Sequence, residues 1–323
     1  MAGRLSLLTW PDYINPLTLL QFEAEFGTVI GLEIVPSAVE LIEKMKTGKG
    51  QQDVLVPPDY AVIELGELGL LTELDHEQLP NLKHIEARFS YGRSHDPENH
   101  LSVIKDWGTT GFIVRTDLVN ESPQTWADFW LLAEKFSGRV TVLDSPGEVI
   151  GAALKMRGCS YNDTSPEALA GAREDLLKLK RHLHSFETNY KPLLASGDVY
   201  LALGWNGDAL ALKAQGVPVR YILPSEGSQI WEDDWAIAAR THDPILAHTF
   251  LNFVLRPEIA AQEARYTQYA AGNRAGRALL HAELRFDESI YPPDQLLQNL
   301  EPGLPLDSEG RERRQALWSV FRV

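Results

Sequence analysis

RLSLLTWPDYINPLTLLQFEAEFGTVIGLEIV, residues 4–35, has the pattern of a strand, a helix and a second strand. Its first six residues, which contain Leu5, Leu7 and Leu8, have the pattern of a strand. Residues 16–26 have the pattern of a helix, and Gly27 follows them as a helix terminator. Residues 30–35 are again strand-like, being apolar and partly β-branched. This order predicts a β-α-β unit with parallel strands.

The same alternation continues along the chain and extends the predicted sheet. Helices at 38–46 and 60–68 flank a short buried strand at 53–56, which predicts a mainly parallel sheet covered by helices on both faces. A second α/β unit follows, in which Ser122 opens a helix with Pro123 at its first position. Its other predicted elements are strands at 111–115, 139–143, 199–203, 219–223 and 236–239, helices at 146–156, 166–182, 190–196 and 208–215, and a mostly helical segment from 243 onward.

Charge and composition exclude several classes of protein. The 323 residues carry a net charge of −15 and a pI of about 5.1, whereas a nucleic-acid-binding protein needs a positive surface. An acidic chain is compatible with a cationic ligand. No apolar run approaches the roughly 20 residues of a membrane helix. Cys159 is the single cysteine, so it forms no intrachain disulfide, and we interpret it as a small buried apolar side chain.

Aromatic and acidic residues follow four of the predicted strands. In open α/β sheets, ligands bind in the crevice at the carboxyl ends of the strands. A protonated amine needs carboxylate acceptors, apolar walls and aromatic faces, and these residue types supply all three. Taken singly, an aromatic residue is more often part of the core, so the pattern of the group carries the prediction. The group consists of Trp10, Tyr60, Glu148, Trp205 and Asp208.

Ten short segments, in order along the chain, resemble the spermidine/putrescine-binding proteins of bacterial ABC importers. The resemblance implies a type II periplasmic-binding-protein fold, in which two α/β lobes joined by crossing strands close on a ligand. Residues 1–108 and 233–277 would form lobe 1, and residues 109–232 and 278–323 lobe 2. The segments are TWPDYI (9–14), DVLVPPDY (53–60), DWGTTGFIV (106–114), TWADFW (125–130), LDSPGEV (143–149), LGWNGDAL (203–210), IWEDDWAI (230–237), FLNFVLRPEIA (250–260), YAAGN (269–273) and IYPPDQL (290–296).

The resemblance also implies a set of ligand-binding residues. Glu148 and Asp233 match positions that hold amino groups of the ligand, and Asp12 and Asp208 match acidic positions of the putrescine-preferring branch. Three departures leave one amine contact and the ligand's length open: Ser145 for a second acid, Pro58 for a small polar residue and Pro11 for a more polar residue. The aromatic walls of the implied cleft are Trp10, Tyr13, Tyr60, Trp205, Trp231 and Tyr269.

The implied function is that of an ABC-importer receptor, which binds putrescine or spermidine between its lobes and delivers it to the permease subunits. We expect a monomer without a cofactor or metal ion. The resemblance implies a periplasmic or lipid-anchored protein, with an export leader that is absent from this sequence.

Three other functions stay open from the sequence. Ferric ion is an alternative ligand because tyrosine and carboxylate oxygens suit hard cations. A binding module that serves a sensor kinase is another possibility. An enzyme on the same fold is the third, although we expect no enzyme, because the sequence has no Gly-rich phosphate loop and no nucleophile elbow.

Overall fold

The computed structural model describes residues 3–48 and 52–322. The strands are β1 (Gly3–Thr9), β2 (Thr28–Ile34), β3 (Val54–Leu55), β4 (Ser102–Arg115), β5 (Val140–Val142), β6 (Leu183–Phe186), β7 (Leu201–Trp205), β8 (Val219–Ile222), β9 (Gln229–Ile237), β10 (Ala270–Ala271) and β11 (Glu301–Pro302). The helices are α1 (Pro16–Phe26), α2 (Ala38–Thr47), α3 (Asp59–Glu67), α4 (Ala87–Ser90), α5 (Trp126–Lys135), α6 (Pro146–Met156), α7 (Pro166–Lys180), α8 (Lys191–Ser196), α9 (Asn206–Ala214), α10 (Pro244–Val254), α11 (Pro257–Thr267), α12 (Arg274–Ala278), α13 (Ala282–Arg285), α14 (Asp294–Leu297) and α15 (Ser308–Arg322). Short 3₁₀ turns occupy His76–Gln78 and Pro80–His84.

The chain divides into two compact units. Unit 1 is Met1–Trp107 with Glu232–Phe286, and unit 2 is Gly108–Trp231 with Asp287–Val323. The chain therefore passes from one unit to the other within β4, within β9 and after Phe286. The division predicted from the sequence has its third boundary after residue 277, whereas residues 278–286 pack with unit 1.

The sheet of unit 1 is built around β1, which pairs in parallel with β2 and β3. Leu7 lies opposite Leu32 on one side and Val54 on the other. β3 pairs antiparallel with the carboxyl-terminal part of β9. The intervening helix α1 begins and ends as the sequence predicts, because the Asn15 side chain caps its first turn and Gly27 takes a left-handed conformation with φ 63°.

Unit 2 has a sheet of the same kind. β5 pairs in parallel with β6 and β7, and β4 pairs antiparallel with β7 and β8. The i, i+4 spacing of Trp126 and Trp130 predicts that both belong to the core. Trp126 and Phe129 of α5 are indeed fully buried against Phe112 of β4. Cys159 is half-buried and packs against this core.

Several predicted element bounds are wrong. Helix α5 begins at Trp126, three residues beyond Pro123, because the Thr125 side chain and Asp128 form a reciprocal capping box there. β6 was not predicted, since its sequence LHSF lacks a clear apolar run. β9 begins at Gln229, well before the predicted strand at 236–239, and includes an acidic stretch that strand propensity disfavours. Among the described residues, no helix combines the length and the apolar character that crossing a bilayer requires.

Candidate functional site

Unit 1 contributes the loop that follows β1, residues 10–13. Trp10 is half-buried and packs against the apolar cluster around Leu8. Asp12 is exposed and adopts a left-handed backbone conformation with φ 54°, which an aspartate tolerates in a tight turn. The turn directs the next side chain inward, and Tyr13 is only 7% exposed. Of these two predicted ligand-binding residues, Asp12 is therefore exposed to solvent and Tyr13 is buried.

Tyr13, Tyr269 and Asp233 come together in unit 1. The rings of Tyr13 and Tyr269 have centroids 6.0 Å apart and are tilted by 57°. Asp233 lies half-buried in β9, and burial raises its pKa from 3.8 to about 7, although interactions with the Tyr13 hydroxyl and the Lys105 ammonium lower it. Because the cost of burying the charged carboxylate outweighs these favourable interactions, a cation bound beside Asp233 would be stabilised.

Tyr13, Tyr269 and Asp233 form the unit 1 half-site of the candidate site. The start of α3 adds a further carboxyl group to this half-site, that of Asp59. Pro58 forms an isolated antiparallel bridge with Asp233, which places the first residues of α3 beside β9. We interpret Asp59 from sequence as a solvated acid, but this is wrong, because Asp59 is only 2% exposed. Burial raises the pKa of Asp59 well above its usual value, partly opposed by His95. Tyr60, the predicted wall residue, is 36% exposed.

Asp234 is held by a network of buried polar groups. Arg93 Nη1 lies 2.7 Å from each oxygen of Asp234, and His95 Nε2 lies 3.0 Å from Oδ2. Ser102 Oγ donates to the same oxygen. Burial alone would raise the pKa of Asp234, but Arg93 and His95 hold it well below its usual value. Successive side chains of a strand alternate between faces, so this network fixes the strand from which Asp233 projects.

A metal site is not what this network offers. Among the described residues, one cluster brings side-chain atoms that can bind a metal ion within 4.8 Å of one another. It consists of His95, Glu232 and Asp234. Both oxygens of Asp234 already accept from Arg93, so the cluster is an internally compensated ion pair.

Unit 2 brings Glu148 and Trp205 together. Glu148 lies in the first turn of α6, and Trp205 is the last residue of β7. Trp205 Nε1 donates to Glu148 Oε1 at 3.0 Å, and the Gln229 amide can donate to Oε2 at 2.8 Å. Burial raises the pKa of Glu148, while its interactions with Thr110, Trp205 and Tyr161 lower it. The structure thus brings a predicted wall residue and a predicted amine-binding acid into contact.

Asp208 lies in the first turn of α9 and already has partners within the protein. Tyr190 Oη donates to Asp208 Oδ2 at 2.7 Å, and Lys191 Nζ donates to Oδ1 at 3.0 Å. Gly204 permits this arrangement, since a Cβ atom there would lie 2.2 Å from Tyr190 Oη. The Trp205 backbone N–H donates to the same hydroxyl at 2.9 Å. Asp208 thus supports the position of Trp205 in addition to any contact with a ligand.

Trp231 lies in β9, in the part that belongs to unit 2. Its ring packs directly over Gly108, where an added Cβ atom would lie 2.3 Å from Trp231 Cζ2. Trp235 lies an even number of positions from Trp231, but the family resemblance does not include it among the wall residues. In the structure, Trp235 is 2% exposed and packs edge-on against Phe250 at 5.7 Å. Trp231 therefore stays a candidate wall residue, while Trp235 belongs to the core.

The comparisons with known proteins agree with this fold. Residues 19–281 match the family model described as "Bacterial extracellular solute-binding protein". The chain belongs to this family. Its predicted resemblance to the spermidine/putrescine-binding proteins and its predicted α/β binding-protein fold are both confirmed by the relatives that follow.

Three relatives illustrate the similarity. The spermidine/putrescine-binding periplasmic protein of Escherichia coli K12 is 31% identical over 300 residues, covering 92% of this chain and 85% of the relative. The putrescine-binding periplasmic protein of the same strain is 32% identical over 308 residues, covering 90% and 83%. A solved structure of the spermidine/putrescine ABC transporter substrate-binding protein of Streptococcus pneumoniae is 28% identical, with a TM-score of 0.88 and complete coverage of both chains.

Proposed function

We propose that this chain is the extracytoplasmic receptor of an ABC importer and that it binds a polyamine, putrescine or spermidine. The observation that carries the proposal is the undercompensated carboxylate of Asp233 beside the tilted ring pair of Tyr13 and Tyr269. The names of the relatives support the same ligand class.

The chemistry of the two half-sites fits a protonated alkylamine. Each half-site combines a buried or half-buried carboxyl group with aromatic rings: Asp233 with Tyr13 in unit 1, and Glu148 with Trp205 in unit 2. A charge-assisted hydrogen bond to an ammonium contributes about 1.5–3 kcal/mol, and an aromatic face adds about 0.5–2 kcal/mol. Each half-site by itself offers a carboxylate and an aromatic ring to an ammonium group.

The location and partners of the chain belong to the same proposal. The relatives in E. coli are periplasmic, and we infer that this chain also acts outside the cytoplasm, as a periplasmic or lipid-anchored monomer. It would hand its ligand to the permease subunits and perform no catalysis.

A thermal-shift screen tests the proposal. Putrescine and spermidine should raise the melting temperature, because a ligand that binds only the folded state stabilises it. Agmatine, cadaverine, basic amino acids and ferric ion are screened separately as alternative ligands. A shift with ferric ion and none with any amine would contradict the proposal and favour the alternative ligand.

Trp205→Phe should weaken putrescine binding by about 1.5–3 kcal/mol. The substitution keeps an aromatic ring but removes the Nε1–H donor to Glu148, and a lost hydrogen bond to a charged group has this cost. Isothermal calorimetry measures the effect. Trp130→Phe is the matched control, because Trp130 Nε1 donates to the Asp175 backbone carbonyl at 3.1 Å. If both variants lost the same putrescine affinity, the result would count against a ligand-binding role for Glu148 and Trp205.

Acidification should weaken binding. The ligand requires Asp233 ionised, so affinity is lost as the pH falls through about 7, the pKa of the unliganded carboxyl. Below that pH, one linked proton predicts about a tenfold loss of affinity per pH unit. Calorimetry from pH 8 to pH 5 measures this slope. The slope should flatten in Asp233→Asn, and a parent protein with constant affinity over this range would contradict the assignment.

A further inference from the structure

Both carboxylate oxygens of Glu148 are engaged by side chains of unit 2. Trp205 Nε1 donates to Oε1 at 3.0 Å. The Gln229 amide nitrogen lies 2.8 Å from Oε2 and 3.2 Å from Oε1, so this donor is shared between the two oxygens. The nitrogen of this amide faces Glu148, because an amide oxygen in the same place would meet a second acceptor. Glu148 therefore has one donor on a single oxygen and one donor across both.

Tyr161 holds the Gln229 side chain in this position. The Gln229 amide nitrogen also lies 2.8 Å from Tyr161 Oη, and both residues are buried. The Tyr161 ring packs against α6, where a Cβ atom added at Gly151 would lie 2.0 Å from Tyr161 Cε2. The Tyr161 backbone N–H donates to Glu301 Oε1 at 3.2 Å, and Glu301 lies opposite Gln229 in the pairing of β11 with β9. The shared donor is therefore fixed from several sides.

Ammonium and guanidinium groups make different demands on a carboxylate. A guanidinium is a planar fork that binds through two parallel hydrogen bonds, one to each oxygen. An ammonium is a compact charge with rotating donors, and a single oxygen is enough for it. Because the Gln229 amide already spans the two oxygens of Glu148, the guanidinium fork would have to displace it. An ionised carboxylate has roughly four acceptor positions, so a single bond from an ammonium does not require this displacement.

We propose that Gln229 is a specificity-determining residue, which makes the half-site of Glu148 and Trp205 select alkylammonium groups and reject guanidinium groups. This inference rests on the proposed function, since it states which class of organic cation that half-site accepts. Rejection follows from the cost of displacement, because a displaced Gln229 would leave a buried amide without its partners. A diamine should therefore bind more tightly than a diguanidine with the same carbon chain.

Calorimetry with putrescine and with its diguanidino analogue, in which both amino groups are converted to guanidino groups, tests the proposal. Either end of the analogue presents a guanidinium to Glu148, so reversing the ligand does not avoid the test. The parent protein should bind the analogue about tenfold more weakly than putrescine, the scale of one lost charge-assisted hydrogen bond. Gln229→Ala removes the shared donor and opens both oxygens, so the ratio of the two Kd values should fall by about the same factor.

Two control variants make the Kd ratio specific to the shared donor. Trp205→Phe removes the donor to a single oxygen of Glu148 and keeps the donor that spans both. It should weaken both ligands together and leave the ratio of their Kd values unchanged. Gln215→Ala, at an exposed glutamine of unit 2, should change neither affinity. A merely structural role of Gln229 would weaken both ligands without changing the ratio.

Gln229→Ala removes a donor from two buried groups, so this variant can fail to fold. Tyr161→Phe then replaces it, because it keeps the Gln229 amide but removes the hydroxyl that holds it. The ratio of the two Kd values should fall in the same direction, since the amide is then displaced more easily. If the ratio in the folded variant equals that of the parent protein, the proposal is overturned.

The titrations of the parent protein separate this inference from the proposed function. If the parent binds putrescine and the diguanidino analogue equally well, polyamine binding stands and the selective role of Gln229 is refuted. If the parent binds neither putrescine nor spermidine, the proposed function fails, and the selectivity of its site is refuted with it. Tight binding of putrescine, weak binding of the analogue and a smaller ratio in Gln229→Ala together would support both.

Discussion

Asp233→Asn is expected to weaken putrescine binding by about 2–4 kcal/mol, the scale for removing one charge from a desolvated pair. The amide keeps the shape of the side chain, so the Tyr13 and Tyr269 rings should stay in place. Calorimetry at pH 8 measures the loss. Asp198→Asn, an exposed acid of unit 2, is the matched control and should leave the affinity unchanged.

The same substitution should stabilise the unliganded protein. A carboxyl group whose pKa is raised from 3.8 to about 7 contributes full stability at low pH and loses it as the pH rises through 7. At pH 8 the charged Asp233 is therefore a cost that Asn removes, and the melting temperature should rise. A variant with weaker binding and a lower melting temperature would indicate damage to the fold instead.

Arg93→Met should lower the free energy of unfolding by about 3–5 kcal/mol, the cost of leaving a buried charge without its partner. Asp234 is fully buried and would keep His95 and Ser102 but lose the guanidinium. Urea denaturation measures the change. The loss should shrink below pH 4, because a carboxyl whose folded pKa is depressed loses its stabilising contribution as the pH falls.

Arg256→Met supplies the control for this prediction. Arg256 pairs with Glu25 through two hydrogen bonds of 2.7 and 2.8 Å at the protein surface, and exposed pairs contribute about 0–1 kcal/mol. If the two arginine variants lost the same free energy of unfolding, the buried Asp234 network would contribute no more to stability than an exposed ion pair.

The sequence predicts the fold well where local signals are strong. Apolar runs and helix caps fix β1, α1 and α6 to within a residue, because Asn15, Gly27 and Pro146 act through neighbouring backbone groups. The sequence also places Glu148 and Trp205 at the carboxyl ends of two strands; β5 and β7 are parallel neighbours, and this brings the two side chains into contact.

Long-range contacts explain what the sequence does not predict. Asp208 pairs with Lys191, 17 positions earlier, and Asp59 is buried next to Pro58, which bridges to Asp233 of β9. No local pattern encodes such pairings. Lys105 and Asp106, which form an ion pair buried in β4, did leave a signal, because the two adjacent charges stand between the apolar residues Ile104 and Trp107. A charged pair in a central strand predicts a buried partner or a site.

Calorimetric titration of the purified chain with putrescine and with spermidine at pH 8 tests the central claim most directly. We expect saturable binding of at least one of them with one site per chain, and loss of most of that affinity in Asp233→Asn. Absence of heat and of competition for both amines, or unchanged binding in Asp233→Asn, would contradict the assignment of this site to a polyamine.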